Sequence, residues 1–152
     1  MKRRFALLLL LLSALPMPAD ARGYALHGNW CGPARPGPFA PLPVDPLDAA
    51  CMRHAICIAR RGPVDCGCDI ALMQTLRRTS WPRPAIATRA RVIHDRIAVT
   101  PCANPFGMAF KAGTLASDMM FDIMTGREAP ANIMRRWMIV AASIFAGIFP
   151  SP

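Results

Sequence analysis

Apolar residues recur at three- and four-residue spacing along most of this 152-residue chain, and no segment alternates with period two over a useful length. Leu47, Cys51, His54 and Ile58 fall on one face of a helix predicted over 46–61, with Cys57 on its flank. Asp45 suits its N-cap, Pro46 its first turn and Gly62 its stop, so His54 faces inward beside two cysteines. A second helix is predicted from about 65–69 to Arg78, carrying Ile70, Leu72, Met73 and Leu76; Ser80 and the Trp-Pro-Arg-Pro run after it end it. A third runs from about Pro84 to Val99, where Ile86, Ile93 and Ile97 repeat at helical spacing and Pro101 stops it. A fourth is predicted over 114–125, with Gly126 as its stop, and a fifth over 131–149 behind Pro130. Between Cys31 and Pro46 lie six prolines and two glycines in sixteen residues, which excludes regular structure and predicts an extended loop. The pattern describes an all-α domain, with no repeats and no second domain.

Both ends of the chain are apolar. Lys2, Arg3 and Arg4 precede an eleven-residue apolar run over 5–15, and Ala19-Asp20-Ala21 follows, the three parts of a secretory signal peptide. Cleavage is expected near Ala21, which leaves 22–152 as a single domain in a secreted or periplasmic location. At the other end, the uncharged stretch 137–149 rises about 20 Å as a helix, too short for a hydrocarbon core of about 30 Å. Arg135, Arg136 and Trp137 suit a head-group layer, so the C-terminal helix is a candidate for peripheral membrane contact. The alternative is a helix docked on the core.

Composition changes this picture in two ways. Eighteen Lys+Arg against nine Asp+Glu give a net charge of +9, and a hydrophobic fraction of 53% excludes a disordered chain. Loss of 1–21 removes three cations and one anion and leaves +7. Sixteen of the basic residues are arginine, which grips phosphate as a planar fork, so phospholipid head groups or nucleic acid are the anionic partners to consider. Six cysteines, at 31, 51, 57, 66, 68 and 102, favour three disulfides in an exported protein. A zinc site from His54, Cys57, Cys66 and Cys68 is the rival arrangement.

Three segments carry candidate chemistry: HGNWCGP at 27–33, LDAACMRHAIC at 47–57 and CGCD at 66–69. Together they resemble secreted phospholipase A2, especially its short bacterial members, over 27–76. That family shows a Cys-Gly calcium loop, a helix with Cys-Cys-x-x-His-Asp-x-Cys-Tyr, and Cys-x-Cys-Asp opening an antiparallel helix. The resemblance implies His54 as the general base that activates water against an sn-2 ester, and Asp69 as the carboxylate that orients it. It implies calcium as cofactor, held in part by the backbone carbonyls of Trp30, Gly32 and Ala34. It implies disulfides Cys31–Cys51 and Cys57–Cys68, which leaves Cys66 and Cys102 to pair with one another. The expected partner is an anionic phospholipid surface, and no nucleic acid.

The departures from the family are specific. Ala55 stands where the family has its calcium-binding aspartate, Ala34 replaces a loop glycine, and Ile58 replaces a tyrosine that would steady the dyad aspartate. Ala50 replaces one cysteine of the Cys-Cys pair, and Thr75 stands where its partner lies in animal members, a self-consistent double loss. No nearby acid replaces the missing one: Asp48 is seven residues back, about 10 Å along the helix axis. Two further readings follow: a catalytically weak or inactive relative that binds anionic membranes, and a disulfide-stapled domain that binds a protein. Asp69 could also serve only as a helix cap. His94 beside Asp95 reads as a surface residue and His27 as part of the loop; neither is assigned a role.

Overall fold

A computed structural model of the chain describes residues 26–32 and 41–148. The expected signal segment 1–21, Ala34 and Phe149, the last residue of the expected C-terminal helix, lie outside the described residues. The described chain is all-helical: α1 (Pro46–Arg61), α2 (Cys66–Arg78), α3 (Pro84–Val99), α4 (Pro105–Met124) and α5 (Pro130–Ile148).

Local chemistry accounts for the ends of the first two helices. The Asp45 carboxylate accepts from the Asp48 amide at 2.9 Å, and Pro46 opens α1. Gly62 closes it at φ 107°, a left-handed conformation that a side chain resists. Asp65, not Asp69, caps α2 by accepting from the Cys68 amide at 2.9 Å, which leaves the Asp69 side chain free for other partners.

The fourth helix begins nine residues earlier than the pattern predicts, at Pro105 rather than Thr114. Asn104 caps it through the Phe106 amide at 2.9 Å. Gly107 and Gly113 dilute the helical signal in that stretch, but Gly107 has a packing reason. A methyl group there would sit 2.5 Å from the Cβ and Sγ of Cys66, so glycine lets α4 close on the start of α2. The alignments Cys66 with Gly107, Asp69 with Lys111 and Arg77 with Asp122 rise together, so α2 and α4 run parallel. His54 with Asp69 and Cys57 with Cys68 run oppositely, so α1 and α2 are antiparallel.

Three disulfides join Cys31 to Cys51, Cys57 to Cys68 and Cys66 to Cys102. Every cysteine is oxidised, so the zinc alternative has no thiolate to use. One apolar core lies among α1, α2 and α3, built from Leu47, Leu72, Leu76, Ile86, Ala90 and Ile93. A smaller one gathers Met73, Ala98, Leu115 and Met119.

Beside it lies a buried ionic network, which periodicity did not predict. His94, 1% exposed, is an interior residue and not a surface one. Its ring nitrogens face Asp95 at 3.1 Å and Asp118 at 3.0 Å. Arg77 of α2 reaches Asp118 and Asp122 of α4, and Arg136 of α5 reaches Asp95, Asp122 and Glu128. Arg136 is therefore turned into the protein rather than toward a head-group layer, and with buried Ile133 it docks the start of α5 on the core. Burial works against its charge, but Asp95 and Glu128 more than restore it, so its pKa is raised. No helix among the described residues is long and apolar enough to cross a membrane.

Removing one partner of such a network leaves uncompensated buried charge. Arg136→Met is expected to lower the unfolding free energy by about 3–5 kcal/mol, measured by denaturant titration, because three carboxylates lose their common cation.

Candidate functional site

The site grows from the clamp between α1 and α2. His54 follows Leu47 and Cys51 on the inward face of α1, and Asp69 lies in the first turn of α2. The Cys57–Cys68 disulfide, with its Cα atoms 5.7 Å apart, ties the two helices beside them. His54 Nε2 meets Asp69 Oδ1 at 2.9 Å. With Nε2–H donating to the carboxylate, Nδ1 carries the lone pair; it makes no hydrogen bond among the described residues. The His54 side chain is 14% exposed, enough for water to approach it.

The other oxygen of Asp69 is taken by a residue assigned no role from sequence. Lys111 Nζ donates to Asp69 Oδ2 at 2.5 Å and to the Thr100 carbonyl at 2.7 Å. Lys111 is wholly buried. Reading the fourth helix from Thr114 left Lys111 outside any element. The signal that identifies it is its place on the buried α4 face with Gly107, Leu115 and Met119, at four-residue steps. Burial raises the pKa of Asp69, but hydrogen bonds from His54 and Lys111 and the lysine charge outweigh it and hold the carboxyl below its ordinary range. Ile58 offers Asp69 no phenol; an ammonium from α4 donates instead.

The loop before α1 is shaped by a side chain. Asp48 is fully buried and accepts from the amides of Asn29 at 3.0 Å, Trp30 at 2.7 Å and Val44 at 3.0 Å. Gly28 sits directly against that carboxylate at φ 56°, where a Cβ would collide with it. His27 is buried between Asp45 at 2.7 Å and Arg89 at 2.9 Å, which pins the start of the loop to α1 and α3. The Cys31–Cys51 disulfide fixes its far side.

This donor set does not fit calcium. The ion takes six to eight oxygens with carboxylates among them. Ala55 offers a methyl group, and the nearby acid Asp48 is already committed to three amides. No group of three or more His, Cys, Asp or Glu side chains among the described residues is arranged to hold a metal. Trp30 and Gly32 keep their backbone carbonyls in the loop, and Ala34 lies outside the described residues. The structure therefore brings His54 and Asp69 together with no acidic metal ligand beside them among the described residues. An open groove of about 240 Å³ lies between α2 and α4, lined by Ile70, Met73, Arg77, Phe110, Thr114 and Asp118; His54, Asp69 and Lys111 do not line it.

A carboxylate held below its ordinary pKa contributes stability above the unfolded value of about 3.9, and that contribution fades as pH falls through the folded value. Asp69 and Asp95 both behave this way, so unfolding free energy is expected to drop on acidification below about pH 4, with a shallower slope in Asp69→Asn, read by denaturant titration at each pH. Compared with family models, curated proteins and solved structures, the chain matches none.

Proposed function

We propose that this protein is a phospholipase A2-like hydrolase of glycerophospholipid esters that works without calcium. The observation that carries the reading is the His54–Asp69 pair at 2.9 Å, clamped between antiparallel helices with Nδ1 left for water. In this mechanism His54 Nδ1 takes a proton from water as the water oxygen attacks the sn-2 ester carbonyl. Asp69 stabilises the imidazolium, which then returns the proton to the departing alkoxide. Turnover is slow, because metal-type stabilisation of the oxyanion is commonly worth several kcal/mol and Ala55 supplies no ligand for it.

Two surface features support a lipid partner. All eight carboxylates among the described residues are buried or half-buried and engaged, whereas every exposed charged side chain is an arginine. The accessible charge is thus of one sign, which draws the protein to anionic surfaces. The outward face of α4 carries exposed Phe106, Phe110, Met120, Phe121 and Met124, opposite its buried Lys111, Asp118 and Asp122 side. Arg127 lies over the Phe121 ring at 4.9 Å, at the rim of this face. Exposed apolar side chains with an arginine at their rim fit acyl chains below phosphate head groups better than they fit nucleic acid. A second reading, an inactive relative that binds membranes, is favoured by the same α4 face together with Ala55.

Fatty-acid release from mixed micelles is expected to be equal in calcium and in chelator and to vanish in His54→Ala. Absence of release from the unaltered protein selects the second reading, and release that survives His54→Ala removes the dyad from the chemistry. Ala55→Asp is expected to create calcium binding, detected by calorimetric titration; a flat titration would mean that the loop cannot contribute its share of oxygens. In vesicle flotation, recovery is expected with anionic and not with neutral lipid, and a Phe110→Ser/Met120→Ser variant is expected to lose most of it. No recovery with either lipid would favour a protein-binding domain.

A further inference from the structure

A wholly buried lysine is unusual, because desolvation of an ammonium is costly unless its charge and its donors are both used. Lys111 meets that condition in one place only among the described residues: Asp69 Oδ2 at 2.5 Å and the Thr100 carbonyl at 2.7 Å. The helix that carries it is arranged to deliver it there. Gly107, one turn earlier on the same face, removes the side chain that would hold α4 away from Cys66. Two and three turns later on that helix, Asp118 and Asp122 take Arg77, so charge pairs at both ends of the contact set the parallel register of α2 and α4.

We infer that Lys111 is a positioning residue for the His54–Asp69 pair, an ammonium that holds the aspartate by its second oxygen and offsets its charge before the histidine takes a proton. This inference rests on the proposed hydrolase reading for its catalytic meaning, and on the observed contacts for its physical one. Asp69 is shared between two cations when His54 is protonated; when His54 is neutral its Nε2–H still donates, but the positive charge on the carboxylate comes from Lys111. Such a compensated carboxylate stabilises an imidazolium less than a carboxylate with no other partner. Lys111 thus fixes the carboxylate's position at the cost of part of its pull on a protonated His54. A lysine that merely filled space or tied α4 to α2 would have no such effect on His54.

The test is an NMR titration of ring-labelled histidine in the full protein, with His54 assigned by its loss in His54→Gln. In Lys111→Met, the His54 midpoint is expected to rise by about half a pH unit or more, since the imidazolium loses a like charge that shares its carboxylate. Lys111→Arg is expected to return it toward the unaltered value. An unmoved midpoint in folded Lys111→Met overturns the inference. If Lys111→Met does not fold, the unaltered protein decides: the Lys111 Nζ nitrogen resonance is expected to shift with the midpoint of His54, and a Lys111 signal that ignores His54 overturns the inference equally. Neither readout needs hydrolysis, so lack of ester cleavage would count against the proposed function and leave this coupling standing. Where cleavage is present, the acid limb of its pH profile is expected to move with the His54 midpoint.

Discussion

The two oxygens of Asp69 are claimed from opposite sides, by His54 of α1 and Lys111 of α4, and the arrangement of three helices follows from satisfying both. A half-paired buried carboxylate would be costly, so neither neighbour can withdraw alone. The Cys57–Cys68 disulfide fixes the α1 side of this contact, and the Cys66–Cys102 disulfide holds the segment that leads into α4. Both cross-links lie within a turn or so of the site or of the elements that reach it. The covalent framework and the polar centre therefore reinforce one another rather than occupying separate parts of the fold.

Around that centre the usual distribution of polarity is reversed on α4. Its inner side carries Lys111, Asp118 and Asp122, all paired, and its outer side carries phenylalanine and methionine. Pairing acids inward removes them from the surface, and what is left for solvent is arginine and apolar side chains. The net charge of +9 therefore understates how one-sided the accessible charge is, because the compensating carboxylates are inside. A buried ion pair is weak evidence for stability in itself. Here its more evident effect is to specify register, since Arg77, His94 and Arg136 each tie specific residues of different helices together.

Much of the fold was legible because its signals are local. Asp45, Pro46 and Gly62 mark α1, and the isoleucines of α3 repeat at helical spacing before Pro101. Two of the disulfides are the pairs that the phospholipase A2 resemblance implied, and the third joins the two cysteines left over. The start of α4 was not legible, because Gly107 answers to a contact with Cys66, forty-one residues earlier in the chain, and only looks like a breaker from its neighbours. His94 and Arg136 were misplaced for the same reason. A charged residue reads as exposed until its counterion is known, and Asp118, Asp95 and Asp122 reach them from other helices. Within the site, His54 and Asp69 could be brought together from the three segments at 27–69, whereas Lys111 lies beyond any of them.

Asp48 carries a consequence for how this kind of site can change over time. A loop that owes its shape to an ion collapses or wanders when the ion's ligands are lost, and the protein must then give up both together. Here the turn from Gly28 to Trp30 is folded over a carboxylate belonging to the adjacent helix, and a disulfide secures its end. The shape of this turn thereby depends on no ion, and a change at Ala55 would leave these contacts in place. The turn is a frame built from the protein's own groups.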